Sequence, residues 1–399
     1  MTVSPEIRRK PYSAVPAPQA EAIFLNPASR HLQSSIGRRF VEPLEIVSAM
    51  SLDDVIPALA CIERSVDSGL FAAGFVSYEA GAAFECAVPK RLEPDLPYVW
   101  FALYDAAPEP FEAPLPRDAC GPKLVPTVDR DEYRHTIERI QQWIAAGDTY
   151  QVNYTFPILG QCDSDPLELF KVLAARQADA AHRTFIDTGS HAIISVSPEL
   201  FFRPDGNRIV TRPLQGTAGR YPDPLEDPKI AETLRQSAKE RAENLMIVDL
   251  IRNDLGRIAE TGSVRVESLF DVERYQTLHT MTSTISATTH AKVPDIFAAL
   301  FPSGSVTGAP KLRTMQIIDE LEGRPRGPYC GAIGWWGPNR QAEFSVGIRT
   351  MVIDRETRTA TYRVGSGITW DSEPHAEYDE CTLKAAVLAE TDPEFDLLE

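Results

Sequence analysis

The sequence is poor in cysteine and has no cysteine pair at the CxxC spacing. Its six cysteines are scattered over 399 residues, at Cys61, Cys86, Cys120, Cys162, Cys330 and Cys381. The scatter without CxxC pairs argues against a zinc site and against a disulfide framework. We expect reduced thiols with structural roles.

Long apolar runs are also missing. The longest, HAIISVSPELFF at 191–202, is interrupted by serine and proline. It is far shorter than the roughly 20 residues that a membrane-spanning helix needs. Residues 1–10 carry charges and are not followed by an apolar stretch, which argues against a secretory signal. We expect a cytoplasmic protein without a membrane span.

A surplus of positive charge is absent, because 40 Lys and Arg face 57 Asp and Glu, giving a formal net charge of -17. Nucleic acids and anionic membranes are bound by basic surfaces, so neither is expected as a partner. An anionic substrate would have to be held by a local site that works against this field. A bound divalent cation would serve that purpose.

The chain does have the apolar content, 43 %, to bury one large core or two of average size. Proline-rich stretches at 108–116 and 122–126 predict a boundary near residue 120. It would separate an N-terminal part at 1–120 from a catalytic region at 121–399 within one integrated fold. Helical periodicity predicts helices over 52–67, 131–146, 228–249, 311–321 and 376–390. Strand composition marks 192–202, 208–212, 331–336, 342–353 and 359–364. Strands in runs with interposed helices favour an α+β protein with large antiparallel sheets.

Two ExxE pairs lie in predicted helices: Glu240 with Glu243, and Glu377 with Glu380. Residues three apart share a helix face, so the two carboxylates of each pair repel unless a cation joins them. Four carboxylates suit a hard cation such as Mg²⁺. From the spacing alone, two solvated helix faces are the more frequent explanation.

Two glycine-rich segments and one arginine are candidates for anion binding. The segment SGSVTGAPK at 303–311 runs into Pro310 at a predicted helix start, which leaves backbone N–H groups for an anion. The segment VGSG at 364–367 follows a strand and would let a ligand approach the backbone. Plain turns explain both segments equally well. Arg349 lies among apolar and small residues, where it needs a carboxylate from a ligand or from a structural salt bridge.

In this order, seven segments resemble the chorismate-utilising enzymes. They are GDTYQVNYTF, SVSPELFF, RPLQGTAGR, KERAENLMIVDLIRNDLGRIA, SGSVTGAPKLRTMQIIDELEG, FSVGIRTMVID and VGSGITWDSEPHAEYDECTLKA, over about residues 147–385. The resemblance implies an α+β fold in which two large antiparallel sheets pack as a sandwich flanked by helices. The site would lie in a cleft between them.

The resemblance also implies roles for individual residues. Glu243 and Glu380 match the family's Mg²⁺ ligands, with Glu240 and Glu377 supporting them. Glu199 matches a general acid that protonates the departing hydroxyl, and His279 matches a histidine near the same group. The family's substrate-contacting positions match Gly216, Thr217, Ser305, Thr307, Arg349, Gly365, Gly367 and Lys384. Of these, Arg349, Gly365, Gly367 and Lys384 match positions that hold carboxylate groups.

Gln151 and Gln215 bear on the reaction. Water-adding members of the family carry Lys as a base at the position of Gln151, whereas ammonia-adding members carry Gln, so the resemblance implies ammonia as nucleophile. The segments look closest to the branch that converts chorismate to 4-amino-4-deoxychorismate for 4-aminobenzoate and folate. That branch normally has an attacking Lys at position 215. Gln215 therefore keeps anthranilate or 2-amino-2-deoxyisochorismate open as product, and a non-catalytic chorismate-binding subunit as a third possibility.

None of the six cysteines lies in a GxCxG segment, which surrounds the nucleophile of glutamine amidotransferases. The family habit then implies that ammonia comes from a separate glutamine amidotransferase subunit.

Overall fold

The structure, a computed structural model, describes residues 20–25, 36–85, 95–112, 119, 121–221, 223–275 and 278–389. Within these ranges the strands are β1 (Glu21–Leu25), β2 (Ile36–Phe40), β3 (Glu45–Ala49), β4 (Phe71–Val76), β5 (Val99–Tyr104), β6 (Glu109–Glu112), β7 (Lys123–Pro126), β8 (Gln151–Gln161), β9 (His182–Asp187), β10 (His191–Ser197), β11 (Leu200–Asp205), β12 (Arg208–Arg212), β13 (Leu214–Gly219), β14 (Arg265–Arg274), β15 (Leu278–Thr288), β16 (Gly308–Ala309), β17 (Ala332–Gly337), β18 (Gln341–Val346), β19 (Thr350–Asp354) and β20 (Thr359–Ile368). The helices are α1 (Leu52–Asp67), α2 (Gly81–Phe84), α3 (Arg130–Ala145), α4 (Pro166–Arg176), α5 (Asp227–Gln236), α6 (Ala238–Gly256), α7 (Val293–Leu300), α8 (Lys311–Leu321) and α9 (Pro374–Ala389), with 3₁₀ turns at Tyr78–Ala80 and Gly304–Val306.

The described strands form two antiparallel sheets of ten strands each. The first has the order β16-β8-β20-β19-β10-β9-β1-β2-β6, with β7 beside β8. The second has the order β13-β15-β12-β11-β18-β17-β4-β5-β3, with β14 beside β15. Strands from the first 112 residues take part in both sheets. The boundary near residue 120 stays a prediction, and residue 120 itself lies outside the described residues.

The two sheets pack face to face over buried apolar side chains. One core cluster combines Phe24 and Phe40 of the first sheet with Phe75 and Trp100 of the second. The ring centroids of Phe40 and Tyr104, which belong to different sheets, are 5.3 Å apart. Helices such as α1 and α4 cover the outer faces and bury their apolar stripes in a larger cluster. The predicted α+β sandwich flanked by helices is confirmed.

Two of the predicted strands are wrong in extent, because each is two strands that belong to different sheets. The run 192–202 divides into β10 of the first sheet and β11 of the second, and the run 342–353 divides into β18 of the second and β19 of the first. Pro198 favours the first break, since it has no N–H group for a ladder hydrogen bond. The two connections contain Glu199 and Arg349, so both residues lie where the chain passes between the sheets.

The helix predicted over 228–249 is likewise two helices, α5 and α6. Ser237 separates them and caps α6, because its hydroxyl oxygen accepts a hydrogen bond of 3.3 Å from the Glu240 N–H. The first ExxE pair therefore lies in the opening turns of α6, which packs on β13 and β15, and the second lies in α9, which packs on β20. None of the described helices combines the length and the apolarity of a membrane-crossing segment.

Candidate active site

A cleft of about 840 Å³, its open mouth included, is lined by residues of α6, α9, β13 and β20 and by both connections that cross between the sheets. The predicted site residues that line it are Glu199, Gln215, Gly216, Thr217, Glu240, Glu243, Ser305, Arg349, Gly365, Gly367, Glu377, Glu380 and Lys384. Side chains from distant parts of the chain thus meet in one place.

Glu199 is the most perturbed acid in this cleft. Its side chain is buried, and Ser305 Oγ donates a hydrogen bond of 2.5 Å to its Oε1. Burial raises the pKa of Glu199 to about 8, although the hydrogen bond from Ser305 acts in the opposite direction. A carboxyl group with this pKa is protonated at neutral pH and is suited to donate a proton inside the cleft.

The two ExxE pairs face the same cleft. Glu243 and Glu377 are only 8 % and 4 % exposed, so the solvated helix faces that spacing alone favoured are not what the structure has. Burial, together with the nearby charge of Glu243, raises the pKa of Glu240 to about 7. Burial also raises the pKa of Glu243. The four carboxylates therefore lie within electrostatic range of one another, in surroundings that oppose their charge.

Each of these carboxylate pairs is contacted by a lysine. Lys239 Nζ lies 3.4 Å from Glu377 Oε1 and 3.9 Å from Glu243 Oε1. Lys384 Nζ lies 2.9 Å from Glu380 Oε1 and donates to the Gly365 carbonyl oxygen at 2.9 Å. Lys384, expected from the resemblance to hold a substrate carboxylate, therefore already has two oxygen partners.

The donor set fits magnesium in chemistry, since Mg²⁺ prefers hard carboxylate oxygens. The carboxylates are not arranged as a metal site in this structure: among the described side chains, no three His, Cys, Asp or Glu residues lie close enough together to hold an ion. Glu243 Oε2 also accepts a hydrogen bond of 2.8 Å from Gln215 Nε2. Small side-chain movements, including that of Lys239, would be needed to bring the oxygens around one cation.

Arg349 lies in the cleft as a buried cation. Its Nη1 atom is buried and has no hydrogen-bond partner, and no described acidic side chain forms an ion pair with it. The guanidinium lies 5.6 Å from the centroid of the Tyr275 ring. Burial lowers the pKa of Arg349. The structural salt bridge considered from sequence is thus not found among the described residues. A buried guanidinium without a carboxylate is a receptor for an anionic ligand.

Three cleft glycines are required by close packing. A Cβ atom at Gly365 would lie 2.3 Å from the Tyr154 carbonyl oxygen, and one at Gly216, where φ is +101°, would lie 2.7 Å from Glu240 Oε2. At Gly367 it would lie 2.8 Å from Gln151 Nε2. Backbone thus forms part of the cleft wall, where a ligand can approach it closely.

Three predicted site residues do not line the cleft. Gln151 is fully buried behind Gly367, and neither polar atom of its amide has a hydrogen-bond partner in the described structure. His279 is buried in β15, where its Nε2 lies 2.9 Å from Asp227 Oδ1. The Thr307 hydroxyl donates a hydrogen bond of 2.8 Å to the Ser303 carbonyl oxygen and so stabilises the glycine- and serine-rich segment at 303–311, the Gly/Ser loop. In this geometry these residues support the cleft from behind.

Sequence reasoning missed several residues of the site. Lys239 directly precedes Glu240, and Arg363 stands two residues before Gly365, so strand alternation would have placed Arg363 and Gly365 on one face. The other missed lining residues are Asn153, Leu214, Val306, Tyr329, Ile348, Tyr362 and Val364. The sequence therefore contained two usable signals: the position next to an ExxE pair for Lys239, and strand alternation for Arg363.

A buried ionic network behind the cleft was also missed. Glu322 forms ion pairs with Arg326 at 2.6 Å and with Arg363 at 2.8 Å. Arg326 further donates to the carbonyl oxygens of Val306 at 2.8 Å and Asn153 at 2.7 Å. The network therefore joins the Gly/Ser loop to β8 and β20 and stabilises the wall that presents Ser305.

Known proteins share much of this sequence. Residues 18–390 match the family described as chorismate binding enzyme. An aminodeoxychorismate synthase of Streptomyces griseus is 44 % identical over 263 residues, which are 65 % of this chain and 36 % of that protein. Aminodeoxychorismate synthase component 1 of Escherichia coli K12 is 42 % identical over 254 residues, which are 63 % of this chain and 55 % of that protein. The chain thus matches about half or less of the length of these curated relatives.

The fold has counterparts among solved structures. Anthranilate synthase component I from Streptococcus pneumoniae superposes with a TM-score of 0.73 at 23 % identity, over 96 % of this chain and 95 % of that chain. At this identity the likeness concerns the fold alone.

Proposed function

This chain belongs to the family of chorismate-binding enzymes, and from that premise we propose that it aminates chorismate with ammonia to give 4-amino-4-deoxychorismate, for 4-aminobenzoate and folate synthesis in the cytoplasm. The observation that carries the proposal is that one cleft contains a buried acid, Glu199, whose pKa is raised, and a buried guanidinium, Arg349, whose Nη1 has no partner among the described residues. Chorismate carries carboxylates to be held and a hydroxyl that must leave with a proton.

Glu199 acts as the general acid. The hydroxyl on ring carbon 4 is a poor leaving group until it is protonated. A carboxyl group with a pKa of about 8 is mostly in its neutral, protonated form at neutral pH and can supply that proton. Ser305 fixes the orientation of this carboxyl through the hydrogen bond to Oε1. General acid catalysis of this kind contributes about 10²- to 10⁴-fold to a rate.

Arg349 and the backbone at Gly365 and Gly367 hold the substrate carboxylates. A carboxylate placed against Arg349 would satisfy its buried Nη1 and form charge-assisted hydrogen bonds. Glu243 and Glu380, supported by Glu240 and Glu377, would hold Mg²⁺, which would supply electrostatic stabilisation of a bound carboxylate. A cation among these carboxylates offsets the repulsion of an anionic substrate from an acidic chain.

Ammonia is the proposed nucleophile, because Gln151 has a neutral amide that is no base able to activate water. The E. coli relative is named component 1, which implies a partner component. From that name we infer that a glutamine amidotransferase subunit supplies the ammonia.

Gln215 supports an alternative product. Its amide is not a usable covalent nucleophile, and it donates its Nε2 hydrogen to Glu243. Direct attack of ammonia on carbon 2, with loss of the carbon 4 hydroxyl as water, would then give 2-amino-2-deoxyisochorismate, which yields anthranilate once the enolpyruvyl side chain is eliminated as pyruvate. A non-catalytic subunit is the weaker alternative, because the acid, the arginine and all four carboxylates are retained in one cleft.

Product identification tests the proposal. The purified chain is incubated with chorismate, Mg²⁺ and ammonium, with and without added aminodeoxychorismate lyase, and products are separated and identified by mass. We expect 4-aminobenzoate only when the lyase is present. Anthranilate or its amino precursor would establish the alternative, and unchanged chorismate would overturn both enzymatic assignments. The variant Glu199→Gln controls for reaction outside the cleft.

A further inference from the structure

Lys239 has an unusual position at the edge of the carboxylate group. It is the second residue of α6 and reaches across to α9, where its ammonium contacts Glu377 as well as Glu243 of its own helix. Desolvation lowers the pKa of Lys239, but the charges of Glu377, Glu243 and Glu240 outweigh it and raise the pKa. The ammonium of Lys239 thus lies between carboxylates of both helices that line the cleft.

The two lysines of the cleft differ in how firmly they are held. Lys384 is 27 % exposed, and its ammonium is tied to a backbone carbonyl oxygen as well as to Glu380. Lys239 is 43 % exposed, and its recorded polar partners in the described structure are carboxylates alone. Its long side chain can extend into solvent without breaking a backbone hydrogen bond.

A divalent cation held by Glu243 and Glu380, with Glu377 in support, would need the Glu243 oxygen that the Lys239 ammonium contacts and would lie beside the Glu377 oxygen that it also contacts. Both cations cannot occupy these positions, since charges of the same sign about 4 Å apart repel strongly where water is partly excluded. Of the two cations, the lysine is the one with an exit to solvent.

We propose that Lys239 is a displaceable counter-ion: it neutralises Glu243 and Glu377 when no divalent cation is bound, and it swings to solvent when one binds. This inference rests on the proposed magnesium role of the carboxylates. Mg²⁺ must then compete with the Lys239 ammonium for the same carboxylates, which lowers the apparent affinity for the metal. In the absence of metal, the lysine stabilises the folded cleft by offsetting the repulsion between the carboxylates.

The test is the variant Lys239→Met, which keeps an unbranched apolar side chain of nearly the same length and removes the ammonium. Mg²⁺ is titrated into the wild-type chain and the variant by isothermal calorimetry without chorismate, and thermal unfolding is followed in EDTA and in saturating Mg²⁺. We expect a Kd for Mg²⁺ about tenfold lower in the variant, the effect of removing two partly exposed ion pairs. We also expect a lower Tm in EDTA and a larger rise of Tm on adding Mg²⁺.

Lys229→Met is the matched control, because Lys229 lies on α5, is 69 % exposed and pairs only with Glu226 among the described residues. It removes the same charge from the chain and should leave the Kd unchanged. Lys239→Gln serves as a second variant in case methionine packs differently.

The outcomes separate the two proposals. If the wild type binds Mg²⁺, and both Lys239 variants bind it with the same or weaker affinity, the counter-ion role is overturned and the metal site stands. If neither the wild type nor the variants bind Mg²⁺ at all, the metal assignment fails and the counter-ion role fails with it. Tighter binding in the Lys239 variants but not in Lys229→Met supports the proposal.

Discussion

The hydroxyl of Ser305 donates a hydrogen bond of 2.5 Å to Oε1 of Glu199, although the two residues are 106 positions apart in the chain. This bond favours the ionised carboxylate and so opposes the burial that raises the pKa of Glu199. The strength of the acid in the cleft is thus set by two opposing effects, of which burial is the larger.

Ser305→Ala should shift the pH dependence of turnover. Without the hydrogen bond to its charged form, Glu199 should have a pKa above about 8. Because the proposed general acid acts in its protonated form, the loss of kcat on the alkaline side should move to higher pH. The pH profile of kcat, compared with that of the wild type, measures the shift. An unchanged alkaline limb would show that Glu199 is not the group that limits turnover there.

Glu199→Gln should change how stability depends on pH. The folded-state pKa of about 8 lies above the unfolded value of 4.5, so between these limits the folded chain binds a proton that the unfolded chain releases. Wild-type stability therefore falls as pH rises from about 4.5 to 8, and the variant lacks this contribution. We expect similar unfolding free energies at pH 5 and a variant that is more stable by about 2 to 4 kcal/mol at pH 9. Denaturant unfolding at pH 5 and pH 9 gives the free energy of unfolding of both proteins. The same difference between variant and wild type at both pH values would contradict the prediction.

The limits of sequence reasoning lie in the long-range pairings. The helices predicted over 52–67 and 311–321 coincide with α1 and α8, because apolar periodicity is a local signal. The strand predicted over 192–202 changes sheets, since Ser197 pairs with His182 whereas Leu200 pairs with Ser345. No periodicity encodes that choice, because both halves have strand composition.

The site shows the same division. Spacing identified Glu240 and Glu243 as a pair on one helix face, but the second pair of the cleft comes from α9, which follows more than 100 residues later. The contact between Lys239 and Glu377 spans 138 positions and has no sequence signal of its own. The resemblance to a known family supplied the assignments that spacing could not.

Glu243→Gln should abolish Mg²⁺ binding and Mg²⁺-dependent turnover, because it removes a charged ligand oxygen from the carboxylate group. Glu232→Gln, at an exposed position on α5, is the matched control and should leave both unchanged. Calorimetric titration with Mg²⁺ and rates at increasing Mg²⁺ concentration give the two readouts. Full activity in Glu243→Gln would overturn the assignment of this residue to the metal.

Gly367→Ala should impair the use of ammonia. The added Cβ would lie 2.8 Å from Gln151 Nε2 and 3.3 Å from Gln215 Nε2, so at least one amide must move. We expect kcat/KM for ammonium to fall about tenfold or more, the scale of a misplacement of about 1 Å. At Gly219 an added Cβ would meet only Leu383, at an ordinary 3.5 Å, so Gly219→Ala is the control. Steady-state rates at varied ammonium concentration measure both variants, and equal rates would show that neither amide takes part in the use of ammonia.

Arg349→Met should separate binding from stability. Arg349 is buried without an ion-pair partner among the described residues, so removing its charge relieves desolvation and should not lower the free energy of unfolding. Chorismate should bind about 100-fold more weakly, because a charge-assisted bidentate contact is lost. Arg326→Met is the contrasting variant: Arg326 is paired with Glu322, and breaking that buried pair should destabilise the fold by about 3 to 5 kcal/mol. Denaturant unfolding and chorismate titration test both. If Arg349→Met is destabilised like Arg326→Met and still binds chorismate normally, Arg349 is a structural residue and the anion site lies elsewhere in the cleft.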